Sequence, residues 1–224
     1  MNNIKIKFYA VSIGWDYGGI MSFDIKASAE SNISVSWGNG KNTTRLFYKE
    51  SGMVHFENDY FPSKISPPDG EKFLVEISSD DIDCRIFGFN LMPVDMAAID
   101  LDVSNCPELE KLSYSGYFSE EPMPLDLSHN TALKYLYCEQ NEFTSLDLSH
   151  NTALEELNCR SNRLSYLNLA NNIALKKLDC EFNNMKQLYI YYAPQLIEAK
   201  IEECNQIDEA TIAQIQALIE DNIK

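Results

Sequence analysis

Three thiols recur at a fixed interval in this chain: Cys138, Cys159 and Cys180 stand 21 residues apart. Two imidazoles do the same. His129 and His150 each follow a serine, and each lies three residues after an aspartate, Asp126 or Asp147. Cysteines so placed could pair as disulfides or hold zinc; paired histidines could capture a metal ion or sense pH; Asp, Ser and His together could run acyl transfer. One fact weakens every one of these readings. The residues lie together because a template repeats, LDLSHN in the case of the serines and histidines, and no separate nucleophile or oxyanion hole accompanies them. Equivalent cysteines on adjacent strands would have Cβ atoms about 4.8 Å apart, whereas a disulfide wants about 3.8 Å and a particular torsion. No C-x-x-C occurs, so a structural zinc site is not expected. The thiols read as small buried hydrophobes and the histidines as polar residues on an outer curve. No catalytic residue, metal or cofactor is expected.

The repeat governs the rest. From Leu133 the chain reads LKYLYCEQNEFTSLDLSHNTA, from Leu154 LEELNCRSNRLSYLNLANNIA, and from Leu175 LKKLDCEFNNMKQLYIYYAPQ. Leu133, Leu154, Leu175 and Leu196 are each 21 residues apart, and Leu109 begins an earlier copy with extra length in EEPMP. An ill-formed first copy lies around Cys84, Phe87 and Phe89. The last copy, LIEAKIEEC, is degenerate, as terminal repeats tend to be, with Cys204 at its Asn position. Alternation about Leu136 and Cys138 is that of a short strand with one face buried. Asn141, Asn162 and Asn183 then turn the chain, with amides free to bond backbone groups that the curve leaves unpaired. The return half points Leu125 and Leu127, or Leu146 and Leu148, back inward. A unit of 21 residues leaves little room for a helix there, so extended segments and tight turns are expected.

The pattern L-x-x-L-x-C-x-x-N resembles the leucine-rich-repeat signature. With Cys at the sixth position and LTxLDLSxNTAL-like return segments, it is similar to the cysteine-ladder repeats of internalin-type bacterial surface proteins and of Bacteroidetes leucine-rich-repeat proteins, over residues 99 to 206. The resemblance implies a right-handed leucine-rich-repeat solenoid with a parallel concave sheet. It also implies protein binding or adhesion at the cell surface, which fold alone does not fix.

Residues 1 to 95 show no such period. The strand-like runs IKIKFYAV, IMSFDIKA, NISVSW and KFLVEISS alternate with turn-rich stretches, which suggests a small β-sandwich. ISVSWGNG resembles the strand and turn of PKD-like domains, with Asn39 in place of the usual Asp. GNGK lacks the spacing of a phosphate loop. The expected organisation is a sandwich cap over 1–95, a solenoid over 96–206 and a capping helix over 207–224. Ile212, Ile215, Leu218 and Ile219 form the stripe of that helix, and both ends cover coils that would otherwise expose their core.

Composition sets the partner class. Acids outnumber bases 34 to 18, for a net charge of −16. Nucleic-acid binding draws on phosphate neutralisation by Lys and Arg, so it is not expected. A basic protein partner suits the field, and no apolar run is long enough for membrane insertion. A monomer is expected. The amino terminus, MNNIKIKFYAVSIGWDYGG, lacks the apolar core and small-residue cleavage site of a signal peptide. Two functions from different classes stay open: an adhesion or host-interaction scaffold, and a cytoplasmic inhibitor or immunity-type protein that neutralises a basic partner. In either, residues between the buried ones face outward in columns across the concave sheet. The candidate ligand-binding residues are Lys111, Tyr135, Tyr137, Glu156, Asn158, Arg160, Lys177, Asp179 and Phe182, with exposed aromatics beside Arg160 as anchors. Tyr189, Tyr191 and Tyr192 form a second aromatic cluster on the return side of the last coil.

Overall fold

The computed structural model describes residues 3–12, 20–28, 31–38, 40–47, 52–58, 72–81, 83–94, 96–115, 124–190, 192–201, 203 and 206–224. Eight strands come first: β1 (Asn3–Ser12), β2 (Ile20–Ala27), β3 (Ser31–Ser36), β4 (Asn42–Phe47), β5 (Val54–Asn58), β6 (Lys72–Ser79), β7 (Ile86–Val94) and β8 (Met96–Asp102). Alternation sets their faces. In β2, Met21, Phe23 and Ile25 are fully buried, while Lys26 between them and the next turn is exposed. Strands β4-β3-β6-β1-β8 form one antiparallel sheet. Its inner face meets that of β5, β2 and β7 across an aromatic core centred on Phe23. The Phe23 ring lies 5.2 Å from Trp37, 5.5 Å from Phe56, 5.6 Å from Phe89 and 6.3 Å from Phe8, centroid to centroid. Trp37 also donates its indole N–H to Thr43 Oγ1 at 3.0 Å, which satisfies its one polar atom. The ISVSW segment is therefore β3 and the residue that follows it. Gly38 and Gly40 then take left-handed φ values of 73° and 83°, where a Cβ would be strained; Asn39 lies outside the described residues.

The repeats build a β-solenoid. Strands β9 (Lys111–Tyr114), β10 (Tyr135–Tyr137), β11 (Glu156–Asn158), β13 (Lys177–Asp179) and β15 (Glu198–Lys200) pair in parallel, each with the next. The return side carries a two-stranded parallel sheet of β12 (Tyr166–Asn168) and β14 (Gln187–Tyr189). Short strands and turns fill the convex side, as a 21-residue unit dictates. Inside, like residues stack. Leu112, Leu136, Leu157, Leu178 and Ala199 make one column. One position after each three-residue strand stand Cys138, Cys159 and Cys180, all fully buried, with Tyr114 before them and Ile201 after them. Their amides continue the strand ladder: Cys138 N–H donates to Asn158 O at 2.8 Å, Cys159 to Asp179 O at 2.8 Å and Cys180 to Lys200 O at 2.9 Å. The thiols therefore do rank one above another.

The two halves share a strand. β7 pairs antiparallel with β2 and parallel with β9, with Phe89 opposite Leu112 and Leu91 opposite Tyr114. The result is one eight-stranded sheet, β15-β13-β11-β10-β9-β7-β2-β5, over one contiguous buried core. The ill-formed first copy is thus real, although its repeat positions are held by Ile86, Phe89 and Leu91 rather than by Cys84 and Phe87. The strand that follows β7, β8, hydrogen-bonds to β1 in the sandwich's other sheet.

Asparagines fasten the coils. Asn162 donates through Nδ2 to Cys138 O and Cys159 O, both at 2.9 Å, and accepts at Oδ1 from the amides of Asn141 (3.1 Å) and Phe143 (3.0 Å). Asn183 repeats this toward Cys159 O and Cys180 O, both at 3.0 Å. A second row runs along the convex side. Asn130, Asn151 and Asn172 each donate to two carbonyls of the preceding coil at 2.9–3.1 Å. Buried carbonyls at every bend thus find donors.

The chain closes with helix α1 (Glu209–Ile223). Asp208 caps its N-terminus by accepting from the Thr211 amide at 2.9 Å. Ile215 is buried, and Ile212, Leu218 and Ile219 pack partly buried against the core. Near the helix end, Asn222 Nδ2 reaches Ala193 O and Leu196 O, both at 2.9 Å. Ala193 stands in the last coil where earlier coils have asparagine. The helix therefore supplies the amide that a further coil would have brought.

Candidate functional site

The outward residues of the strands form straight rows. Register places Lys111, Tyr135, Glu156, Lys177 and Glu198 side by side, and Ser113, Tyr137, Asn158, Asp179 and Lys200 beside them. Neighbours within a row lie about 4.8 Å apart. A third row follows with Glu139, Arg160 and Glu181; Glu202 lies outside the described residues.

The tyrosines sit lower than exposed anchors would. Tyr135 and Tyr137 are half-buried, because neighbours lean on them. The Tyr137 hydroxyl donates to Glu156 Oε2 at 2.8 Å, and the Lys111 ammonium lies 5.3 Å from its ring centroid. Partial burial, then that hydrogen bond, push the phenol up to about 12, so it remains a donor at any working pH. Phe182 is more open, 37% exposed, with the Arg160 guanidinium 4.2 Å from its ring centroid. Arg160 is itself clamped by Glu181, with Asp179 at 3.9 Å. Phe182 has a backbone φ of 55°, a left-handed value that Gln140 and Ser161 share at the same place in earlier coils. A bulky residue there is a backbone outlier, held by its amide bond to Glu203 O at 2.7 Å.

Charges across these strands compensate one another. Lys177 meets Glu156 at 3.5 Å, and Lys200 meets Asp179 at 3.7 Å and Glu198 at 3.9 Å. The rows hold Lys111, Arg160, Lys177 and Lys200 against Glu139, Glu156, Asp179, Glu181 and Glu198, so this face is nearly neutral and most of the chain's −16 lies elsewhere. Exposed pairs of this kind contribute little stability. Their effect is to fix side chains in place.

The shared sheet carries the rows further. Asn90 on β7 stands beside Ser113, Asp24 on β2 beside Asn90, and His55 on β5 beside Asp24. His55 Nδ1 lies 2.8 Å from Asp24 Oδ1, and its Nε2 lies 3.4 Å from Glu57 Oε2. The Asp24 hydrogen bond raises the imidazole above 6.5. Alternation in β2 turns Asp24 and Lys26 outward, away from buried Phe23 and Ile25. Nothing in it showed that β2 joins the solenoid sheet.

The remaining chemical candidates have clear geometry. Burial holds Cys138 and Cys180 well above the usual thiol range and pushes Cys159 up to about 12, which removes the thiolate that nucleophilic or redox chemistry needs. In the native chain these three thiols should react with iodoacetamide about a thousandfold more slowly than in urea, since only large-scale opening exposes them. Peptide mapping of the labelled protein would show it, and fast native labelling would contradict the stacked arrangement. Ser128 Oγ lies 3.2 Å from His129 Nδ1, but Asp126 accepts from the Ser128 amide at 2.9 Å instead of orienting the imidazole. Ser149, His150 and Asp147 repeat this turn. Among the described residues no group of three or more His, Cys, Asp or Glu is placed to hold a metal ion, and no helix is long and apolar enough to cross a membrane. Tyr189 is half-buried with its hydroxyl 3.0 Å from Gln187, Tyr192 is 64% exposed, and Tyr191 and Cys204 lie outside the described residues.

No protein-family model matches this chain, and no curated protein does. Among solved structures, the functional domain of InlJ from Listeria monocytogenes, which includes a cysteine ladder, is similar at 23% identity and a TM-score of 0.26. That likeness covers 50% of this chain and 38% of the other, so this chain matches well under half of that one. The stacking of Cys138, Cys159 and Cys180 is read from this chain's own hydrogen bonds.

Proposed function

We propose that this chain is a non-catalytic protein-binding scaffold of the leucine-rich-repeat kind, with recognition on the outer face of the parallel strands. The sandwich and α1 serve as caps for the two ends of its solenoid. The observation that carries this reading is the row of pre-set anchors. Tyr135 and Tyr137 are fixed beside Lys111 and Glu156, and two strands on Phe182 is held in a costly backbone conformation under Arg160. Aromatics and Arg dominate binding hot spots, and rigid placement lowers the entropy lost on docking.

Phage-displayed peptides selected against the intact chain provide a first probe. Changing Tyr135 and Tyr137 together to Ala should weaken the selected peptides at least about tenfold, the cost of one modest hot spot. Melting temperature should change little, because both rings lie on the outer face. Unchanged affinity would move recognition off these strands.

Adhesion or host interaction outside the cell is the fuller form of this reading, and it draws on the repeat pattern. An inhibitor acting in the cytoplasm draws on the net charge and on described buried cysteines that stand outside disulfides. Fractionation of native cells separates them: protein found only in the cytosol removes the adhesin.

A further inference from the structure

We infer that the return side of the solenoid holds a site for a neutral oligosaccharide, with Tyr166 as the platform for one sugar ring. This site lies across the coil from the parallel strands and is independent of recognition there.

The return ladder is incomplete, and cavities open where it fails. β12 pairs with β14, whereas the equivalent segments of the two preceding coils, 124–126 and 145–147, form no strand. Between Asp147 and Tyr166 lies a cavity of about 270 Å³, lined by Leu146, Asp147, Ser149, Tyr166, Asn168 and Asn171. A second, of about 220 Å³, lies one coil earlier over Leu125 and Leu127 and shares Asp147 with the first.

This lining has the two halves that a sugar ring needs. Ring carbons offer an apolar C–H face, which packs on an aromatic ring, and hydroxyls seek polar side chains that give or take hydrogen bonds. Tyr166 is 48% exposed, and the same place in the other coils holds Pro124, Ser145 and Gln187. Buried Leu146 closes the floor. Asn168 spends only Oδ1, accepting from the Ala170 amide at 3.1 Å, and Asn171 only Nδ2, donating to Ser149 O at 3.2 Å. Asn168 Nδ2, Asn171 Oδ1 and the Tyr166 hydroxyl make no hydrogen bond among the described residues. A donor, an acceptor and a hydroxyl therefore line one small cavity beside an open ring.

Charge and spacing narrow the ligand. Neither cavity is lined by Lys or Arg, and Asp126 and Asp147 are both exposed, so phosphates and acidic sugars are repelled. Successive coils stand about 4.8 Å apart, close to the length of one sugar unit in an extended chain, so adjacent rings fit adjacent cavities. Asp126, Ser128 and His150 then serve the second ring.

The probes are cellotetraose, maltotetraose, mannotetraose and chitotetraose, with tetragalacturonate as the acidic control, each titrated against the intact chain by saturation-transfer NMR. At least one neutral probe should bind with a Kd of about 1 mM, the affinity that about a dozen ligand atoms commonly reach. Tyr166→Ala should weaken it about tenfold, whereas Tyr166→Phe, which keeps the ring, should cost no more than about threefold. The ring is exposed, and melting temperature checks that both variants fold. Tyr135→Ala with Tyr137→Ala should leave sugar affinity unchanged. No binding by any neutral probe at about 10 mM overturns the site. So does equal binding of tetragalacturonate, an unaltered affinity in Tyr166→Ala, or a loss confined to the Tyr135 and Tyr137 variant. The scaffold reading is measured with displayed peptides and stands or falls separately.

Discussion

Replacing Asn162 by Ala should cost about 3 to 6 kcal/mol of folding stability, a large share of what a chain of this kind has. The side chain is nearly inaccessible and serves five backbone groups at once, Arg160 O at 3.3 Å among them. Cys138 O and Cys159 O lose a donor, and the amides of Asn141 and Phe143 lose an acceptor. Each orphaned group in a dry interior costs about 1 to 3 kcal/mol, and relaxation recovers part of it. Asn171, nine residues on, gives the control. It is exposed and makes one bond, to Ser149 O at 3.2 Å, so Asn171→Ala should cost well under about 1 kcal/mol. Urea titration of the pair measures the contrast. Equal and small losses would mean that water replaces the buried amide, and the coils would then be held by leucine packing alone.

The second large effect concerns the junction. Phe89 is fully buried, touches Phe8 and Phe23 in the sandwich and lies in the column of Leu112 and Leu136. Phe89→Ala should therefore cost about 3 to 5 kcal/mol through lost burial and an unfilled cavity. The two halves should also unfold together, in the parent as in the variant, since a single core leaves no boundary at which cooperativity can break. Trp37 lies in the aromatic core of the sandwich, so its fluorescence reports that half, while alkylation of Cys159 reports the solenoid. Coincident urea midpoints are expected. Two separate midpoints would show that β7 is shared in geometry but not in energy.

How far the sequence revealed these features follows from what each residue does. Where a residue serves one purpose, its spacing was readable. Leu133, Leu154 and Leu175 fill one column and little else, so the 21-residue interval carries the strands, the thiol column and the outward rows. The stripe of α1 was legible for the same reason. Phe89 serves two cores at once, which blurred its alternation, and the first rung of the solenoid appeared only as a degenerate copy. Strands β4 and β5 were missed because NTTRLF and VHFEN are short and carry outward charges. The convex asparagines Asn130, Asn151 and Asn172 were in plain view within LSHN and LANN. They were given no role, since nothing local says that their amides reach back a whole coil. Pairing between distant strands, such as β7 with β9 or β2 with β7, depends on tertiary packing and left no mark in the local pattern.

The shared register of coils also bears on how such a molecule can change its size. Every internal unit presents the same edge above and below, so duplicating residues 154–174 would slip one more strand into the sheet and lengthen it by about 4.8 Å. The aromatic cap and the closing helix would each meet a surface identical to the present one. Reach is thereby uncoupled from foldability, and gene duplication can tailor the span of the molecule to a longer or shorter target in whole steps.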